Sequence, residues 1–374
     1  MHSGQGLRLL VAALGTAGVA LLATSTGLTA GQGQMRSVTS AGCGSAGMRA
    51  LSLTSSSSTA TKDQGRKRPV GRIVATISTY DPNAEENSDP YGVAFGEGSV
   101  WVADRGVDAV LRINPARNRV ATRIAVPGSP ARLAVGDGSV WVTQESADSV
   151  ARIDIASGAV VATIPLGGIA TGEPALGAGS VWALDGTHRQ VVRIDPATNS
   201  EVARIDIGGS GPVGGVLFAY GSVWASSDTD AQVVRIDPAT NAVASRVPLR
   251  RDSRRVRIPM DPQALGRGAV WVANTDVNGR GYRTLTTVNA ASTTADPKRI
   301  AIARRDLVGL ARLGRSMWAT DSAGTLWRVD MVSRRVLGSV GICAKTAYVA
   351  AGAGSVWAVD PAGAMLVRVR PAAR

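Results

Sequence analysis

The stretch Gly98–Asp104, GSVWVAD, decides the fold because it recurs along the chain with small changes. It returns as GSVWVTQ from Gly138, GSVWALD from Gly179 and GSVWASS from Gly221. Seven of the eight tryptophans mark such copies, at intervals of 39 to 47 residues. They are Trp101, Trp141, Trp182, Trp224, Trp271, Trp318 and Trp357. A period of about 40 to 45 residues is typical of β-propeller blades, so the sequence predicts seven of them.

The second repeat predicts how one blade is built. Four apolar segments follow one another there: Pro130–Val135, Val140–Val142, Ser149–Asp154 and Val160–Ile164. Asp137-Gly138 and Ser157-Gly158 stand between them, and such pairs suit tight hairpin turns with positive φ. Each repeat therefore predicts a four-stranded antiparallel blade. Other repeats have an asparagine at the place of Gly158, namely Asn118, Asn199 and Asn241. Asparagine tolerates the left-handed conformation, so we expect the same turn at these positions.

The two ends of the chain predict how the ring closes. The last repeat ends after its third strand, whereas Arg72–Ile77 has the pattern of a fourth strand and precedes the first repeat. The prediction is an all-β, seven-bladed β-propeller over residues 70–374, in which this N-terminal strand completes the last blade. Such closure removes the free sheet edges that otherwise aggregate.

Residues 1–69 differ in composition from the repeats. Leu9–Ala23 is apolar, Arg8 precedes it and Ala30 offers a small residue for cleavage, which predicts a signal peptide over residues 1–30 and a secreted or extracytoplasmic protein. A retained membrane anchor is the alternative. Residues 31–69 are rich in Ser, Thr and Gly and predict a disordered linker. Cys43 and Cys343 fit an oxidising compartment, but sequence leaves their pairing open.

The formal net charge of +13 raises the question of an anionic partner. Arg66, Lys67 and Arg68 cluster in the linker, where they could contact a membrane or envelope polymer; a solubilising linker is the alternative reading. One arginine stands in the third strand of six repeats, a regularity that indicates an architectural role over the tryptophans. They are Arg112, Arg152, Arg193, Arg235, Arg328 and Arg368. No basic stripe with stacking aromatics is present, so nucleic acid is not a predicted partner.

The repeat, written VxRIDPATNxVxxxIPxG followed by GxGSVWVA, resembles the bacterial YVTN/YncE-like propellers and the streptogramin B (virginiamycin B) lyase superfamily. The resemblance covers roughly residues 72–374 and implies a seven-bladed ring that can host lyases, lactonases or binding modules. Lyase activity would imply a histidine base beside a metal held by glutamates in the channel. His188 is the one histidine after the signal peptide, and we find no matching histidine and glutamate motif. His188 is therefore the catalytic candidate, with a solvated loop histidine as the alternative.

A second set of candidates comes from the geometry of a blade. The second strand of each repeat ends three residues after its tryptophan, and these ends share one face with the loops that lead into each first strand. Both positions are rich in oxygen ligands, which suit Ca²⁺ or a cationic or hydroxylated ligand. The predicted ligand-binding rim comprises Asp104, Gln144, Asp185, Asn274, Asp321, Asp360, Glu173 and Asp261, with Ser227, Asp89 and Asp306 at related positions. Asp104, Asp185, Asp321 and Asp360 are the metal candidates, while ordinary turn chemistry is the alternative.

These observations favour a monomeric binding module that presents the rim to a protein, peptide or glycan and needs no cofactor. The alternative is a lyase-like or lactonase-like enzyme that uses a divalent metal, Ca²⁺ or Mg²⁺, at the central channel. No Ser-His-Asp set, Cys-x-x-Cys pair or phosphate-binding glycine loop appears in the sequence.

Overall fold

Seven antiparallel sheets stand in a ring around a central channel. The computed structural model describes residues 70–374 except 83, 85–86, 211, 228–229, 250–255, 258–262, 267, 277–282, 304, 343–347 and 374. The predicted signal peptide, the predicted linker, Cys43, Cys343 and Asp261 lie outside the described residues. None of the residues described belongs to a helix long and apolar enough to cross a membrane.

The strands follow the predicted order of blades. β1 (Gly71–Ser78) comes first. Blade 1 comprises β2 (Pro90–Gly96), β3 (Ser99–Asp104), β4 (Ala109–Asn114) and β5 (Arg119–Ala125). Blade 2 comprises β6 (Pro130–Gly136), β7 (Ser139–Gln144), β8 (Ser149–Asp154) and β9 (Ala159–Pro165). Blade 3 comprises β10 (Ala170–Gly177), β11 (Ser180–Asp185), β12 (Gln190–Asp195) and β13 (Ser200–Asp206). Blade 4 comprises β14 (Val213–Ala219), β15 (Ser222–Ser227), β16 (Gln232–Asp237) and β17 (Ala242–Pro248).

Blade 5 is the irregular one, because its first and fourth strands are each split in two. β18 (Val256–Arg257) and β19 (Gln263–Gly266) both pair with β20 (Ala269–Asp276). β22 (Thr294–Ala295) and β23 (Ile300–Ala303) both pair with β21 (Arg283–Asn289). Blade 6 is regular and comprises β24 (Leu307–Leu313), β25 (Ser316–Asp321), β26 (Thr325–Asp330) and β27 (Arg335–Gly341). Blade 7 contains β28 (Val349–Gly352), β29 (Ser355–Asp360) and β30 (Met365–Pro371).

β1 completes blade 7, as the sequence predicts. It pairs antiparallel with β30, and Thr76 lies opposite Val367. The first strand of every blade contacts the first strand of the next, and β28 of blade 7 contacts β2 of blade 1, so the ring closes. β1 and β30 therefore meet in one sheet rather than leaving two free edges.

The hairpins have the backbone geometry that their residues indicate. Asp137 and Gly138 adopt φ of 51° and 70° in the turn between β6 and β7, which matches a type I′ hairpin. Asn118, Asn199 and Asn241 adopt φ of 48°, 53° and 55°. Each closes the turn between the third and fourth strands of its blade, where Gly158 adopts 68° in blade 2. The prediction that asparagine replaces glycine there is confirmed.

The tryptophans fill the core between neighbouring blades, and the third-strand arginines lie across them. All seven repeat tryptophans are at most 2% exposed. In six blades the arginine stands directly opposite the tryptophan on the adjacent strand, with guanidinium-to-ring distances from 4.7 to 5.9 Å. In blade 5 the partner of Trp271 is Thr287. The architectural interpretation of these arginines is confirmed, because they also bond to a serine of the second strand, as Arg152 does to Ser139.

Candidate functional site

The ends of the second strands lie on one face of the ring, which we call the rim face. Asp104, for example, pairs with Pro90 at the start of β2 and with Ala109 at the start of β4. The predicted positions are therefore brought to one face, but their side chains are buried. The members described at these strand ends, none more than 8% exposed, are Asp104, Gln144, Asp185, Ser227, Asn274, Asp321 and Asp360.

The buried carboxylates accept hydrogen bonds from the loops of their own blades. Asp104 accepts from Ser88 Oγ at 2.5 Å and from the Asp89 backbone N–H at 2.7 Å. Burial raises the pKa of Asp104, although these hydrogen bonds and one from the Gly106 backbone oppose the rise. Asp321 accepts from the backbone N–H groups of Ala323 and Thr325 at 3.0 and 2.9 Å. Trp327 Nε1 donates to it at 2.9 Å. Both side chains thus fasten loops to strand ends.

The other strand-end residues contact nearby loops, except Asn274, which bonds to the neighbouring strand β21. Gln144 Nε2 donates to the Pro127 carbonyl at 2.5 Å. Asn274 Nδ2 donates to Thr286 Oγ1 at 2.6 Å. Ser227 Oγ donates to Asp230 at 2.7 Å. Asp360 lies beneath its turn, so close that a β-carbon built on Gly363 falls 2.5 Å from Asp360 Oδ2. Ligand binding by these residues stays a prediction, and it requires that loops open to expose them.

His188 forms the most defined polar arrangement on the rim face. Its Nδ1 lies 2.8 Å from Asp185 Oδ2, and its backbone N–H donates to Asp185 Oδ1 at 3.0 Å. Arg204 Nη1 donates to the same Oδ2 at 3.1 Å. Asp185 is fully buried whereas the His188 side chain is 53% exposed. A carboxylate at Nδ1 places a proton there and leaves Nε2 as the basic nitrogen, which is the arrangement of a general base.

The four metal candidates stand in four different blades. Asp104 belongs to blade 1, Asp185 to blade 3, Asp321 to blade 6 and Asp360 to blade 7. Over the described ranges, no group of three or more His, Cys, Asp and Glu side chains is placed to hold a metal ion. Asp185 instead holds His188 and Arg204. A metal at these residues stays a prediction.

The rim end of the central channel holds a cluster of residues that the repeat pattern does not predict. We call Arg105, Tyr91, Arg132 and Tyr348 the mouth cluster. The Arg132 guanidinium lies 3.3 Å from the ring centre of Tyr348 and 4.8 Å from that of Tyr91. The Arg105 guanidinium lies 3.7 Å from the Tyr91 ring centre. Cations and rings thus alternate along one stack, and such contacts strengthen where water is excluded.

The mouth cluster joins three blades and is partly open to solvent. The two tyrosine rings meet edge to face at 5.0 Å, although Tyr91 begins blade 1 and Tyr348 precedes β28 of blade 7. Arg132 lies in β6 of blade 2 and is buried, whereas Tyr91, Tyr348 and Arg105 are half-buried. Arg105 forms ion pairs with Asp89 at 2.8 Å and with Glu145 at 3.7 Å. Glu173, a predicted rim residue, is exposed and lines the channel near Arg132.

A weak sequence signal pointed to this cluster. The chain has five tyrosines, and two of them stand at or just before the start of a channel-lining strand. The repeat pattern hides this signal, because Tyr91, Arg132 and Tyr348 do not occupy one repeated position. Only the closing of the ring brings them together.

Solved structures with similar folds include two lyases. A virginiamycin B lyase from Staphylococcus aureus superposes with a TM-score of 0.64 at 15% identity, covering 76% of this chain and 95% of that one. A streptogramin B lyase superposes with a TM-score of 0.65 at 15% identity, covering 80% and 98%. The Kuenenia stuttgartiensis hydrazine synthase superposes with a TM-score of 0.67 at 14% identity, covering 79% and 99%.

The likeness to the lyases is one of fold. It confirms the resemblance to the lyase-like propellers that the repeats indicate. No protein-family model and no curated protein matches the chain. The chain is a β-propeller whose fold is similar to that of streptogramin lyases. Such a fold hosts many activities, so the function of this chain has to be argued from its own residues.

Proposed function

We propose that the protein is a secreted or envelope-associated binding module that holds a protein or peptide partner on its rim face. The mouth cluster is the observation that carries this proposal. Tyrosine and arginine are, with tryptophan, the residues enriched among the anchors of protein interfaces. Here two tyrosines and an arginine are preassembled and half-exposed, so little side-chain entropy is lost when a partner packs on them.

The surroundings of the cluster support a peptide partner over a glycan. Guanidinium groups already lie over the rings of Tyr91 and Tyr348, whereas a sugar needs an open aromatic face for stacking. Asp89 and Glu145 beside Arg105 supply acceptors for peptide N–H groups. Large apolar side chains are also exposed on the same face, namely Tyr80 at 55% and Ile169 at 54%. Such a patch of apolar and polar groups is typical of protein recognition.

The test is selection of binding peptides from a displayed random library on the full protein. Binders are then measured against Tyr91→Ala and Arg105→Ala. Loss of an interface anchor costs about 2 kcal/mol or more, so we expect affinity to fall by more than tenfold. Tyr220→Ala is the matched control, because Tyr220 is exposed on the opposite face. If selection yields no peptide that depends on Tyr91 or Arg105, the proposal is wrong.

The His188–Asp185 pair favours a second candidate, a lyase-like or lactonase-like enzyme assisted by a divalent metal. The exposed imidazole, oriented by a buried carboxylate, is the specific observation. Quinupristin, named with the Staphylococcus aureus lyase, is the substrate to try, with Mg²⁺, Ca²⁺ or EDTA. Metal-dependent turnover that disappears in His188→Ala would support the enzyme. Absence of turnover under all three conditions leaves the binding module as the function to pursue.

A further inference from the structure

The face opposite the rim, which we call the back face, carries charge unevenly. It is formed by the hairpins between first and second strands and by the turns between third and fourth strands. In blades 2, 3 and 4 the back face carries acidic residues, namely Asp137, Asp154, Asp195 and Asp237. Blades 6, 7 and 1 instead place six exposed arginines there, outside the channel. We call these residues the basic sector: Arg72, Arg117, Arg119, Arg315, Arg335 and Arg370.

The basic sector spans three neighbouring blades. Blade 6 supplies Arg315 and Arg335, blade 7 supplies Arg72 and Arg370, and blade 1 supplies Arg117 and Arg119. The strand β30 of blade 7 is hydrogen-bonded to the turn of blade 1, because Arg368 Nη1 donates to Asn118 Oδ1. Closure of the ring therefore brings together arginines that lie far apart in the sequence.

Two arginines of the basic sector stand directly opposite each other. Arg72 of β1 is in register with Arg370 of β30, and both side chains are exposed. Like charges directly opposite on two strands destabilise a sheet. Burial lowers the pKa of the nearby Arg368, and the charge of Arg370 lowers it further. An anion bound between Arg72 and Arg370 would offset this repulsion.

Acidic side chains of the described residues do not neutralise the basic sector. None of its six arginines forms an ion pair with them. Glu97 is the exposed acidic residue described on the back face of these three blades. Asp330 is buried and accepts hydrogen bonds from the turn of its own blade. In residues 1–69, which precede β1, basic residues outnumber the single acidic residue, Asp63, so this sequence adds positive charge.

The surroundings of the arginines favour a lipid surface over nucleic acid. No exposed aromatic side chain is described on the back face of these three blades, so base stacking has no platform there. Val332 is 43% exposed in the turn that precedes Arg335 and adds an apolar side chain to the same surface. Basic residues beside an exposed apolar side chain suit the boundary between anionic headgroups and acyl chains.

We propose that the basic sector binds the anionic surface of a lipid bilayer. The phosphate of one headgroup lies between Arg72 and Arg370, and the other four arginines attract headgroups over a wider area. The rim face lies at the other end of every blade, so contact with a bilayer leaves it free for a partner. This surface is separate from the mouth cluster and does not depend on rim-face binding.

The test is sedimentation of the full protein with lipid vesicles. One set contains phosphatidylglycerol and phosphatidylcholine in equal amounts, and the other contains phosphatidylcholine alone. We expect the affinity for the anionic vesicles to be higher by about tenfold or more, and to fall as salt is added, because salt screens exposed charges. The double variant Arg72→Gln/Arg370→Gln should reduce this affinity by about tenfold or more. It removes a repulsion between exposed side chains, so its thermal unfolding should show no loss of stability.

Two single variants separate the basic sector from net charge. Arg370→Gln and Arg305→Gln change the net charge equally, and both residues are exposed, but Arg305 lies on the rim face just before β24. Arg370→Gln should reduce the affinity for anionic vesicles by about threefold or more, whereas Arg305→Gln should leave it nearly unchanged. Replacing Arg66, Lys67 and Arg68 by glutamine tests the sequence before the ring. In that background Arg72→Gln/Arg370→Gln should still lower the affinity.

The proposal is overturned by equal affinity for the two kinds of vesicle, by equal losses in Arg370→Gln and Arg305→Gln, or by wild-type affinity in the double variant. Loss of all binding on replacement of Arg66, Lys67 and Arg68 alone would also overturn it, because the ring would then not be the binding surface. Linear polyphosphate is the soluble competitor. If it binds as tightly per phosphate as the anionic vesicles, with the same dependence on Arg72 and Arg370, the basic sector is a site for soluble polyanions and the bilayer proposal is wrong.

Discussion

Arg368 Nη1 donates a hydrogen bond to Asn118 Oδ1 at 2.7 Å, although 250 residues separate the two in the sequence. The same nitrogen donates to the Pro115 carbonyl at 2.6 Å, so the arginine of blade 7 is hydrogen-bonded to a turn of blade 1. Arg152 and Asn199 repeat the contact between blades 2 and 3 at 2.8 Å. The ring is therefore closed by the same contact that joins blades 2 and 3.

Removing this contact should destabilise the whole ring. Arg368 is 8% exposed and also packs on Trp357. We expect Arg368→Gln to lower the free energy of unfolding by about 2 to 3 kcal/mol, the usual worth of hydrogen bonds to a buried charged group. A double-mutant cycle with Asn118→Ala in guanidinium chloride should give a coupling of about 1 kcal/mol or more. Arg370→Gln, an exposed neighbour, should stay within about 0.5 kcal/mol; additive effects of Arg368 and Asn118 would contradict the contact.

The N-terminal strand offers a second test of closure. Ile77 and Ile73 both lie in β1, but Ile77 is 5% exposed and Ile73 is 42% exposed. Ile77→Ala should cost about 2 to 4 kcal/mol, because it removes a buried side chain from the joint between first and last blades. Ile73→Ala should cost less than about 1 kcal/mol. The denaturant midpoints of the two variants check this, and equal midpoints would mean that β1 does not pack as a closing strand.

The sequence predicts the ring because the same strand and turn motif recurs seven times along the chain. The interval between tryptophans predicts the blades, and Arg72–Ile77 predicts the closing strand because it matches a known place in the repeat. The site is harder to predict for two physical reasons. An aspartate at a strand end, such as Asp104, can bind a ligand or can accept hydrogen bonds from the adjacent loop. Whether its side chain is buried depends on how that loop folds, which the sequence pattern does not show. Tyr91, Arg132 and Tyr348 meet only because the ring brings together blades 7, 1 and 2.

Asp104 makes stability depend on pH. Burial raises its pKa in the folded protein above the ordinary 3.8. In the pH range between the unfolded and folded pKa values, the folded state binds more protons, so the free energy of unfolding falls as pH rises. Asp104→Asn removes this titration but can keep both contacts. The amide oxygen of the asparagine can accept from the Asp89 N–H, and its NH₂ group can donate to the Ser88 hydroxyl oxygen.

The measurement compares wild type with Asp104→Asn by urea unfolding from pH 3 upward. We expect wild type to lose stability relative to the variant as pH rises through the pKa of Asp104. The difference should become constant at higher pH, where Asp104 is ionised in both states. A wild type that gains stability relative to the variant over this range would show that the folded pKa is lowered rather than raised.

Variants of Asp185 and His188 test whether each side chain stabilises the folded protein at the rim face. Asp185 is fully buried and accepts hydrogen bonds from both His188 and Arg204, so Asp185→Ala removes a buried, multiply bonded carboxylate and should cost about 2 to 3 kcal/mol. His188 is half-exposed, and His188→Ala should cost less than about 1 kcal/mol. Glu201→Ala is the control, because it removes the other carboxylate of Arg204 from an exposed position and should cost as little. Thermal and chemical unfolding of the three variants test this prediction. If Asp185→Ala is as stable as Glu201→Ala, the Asp185 carboxylate does not stabilise this loop.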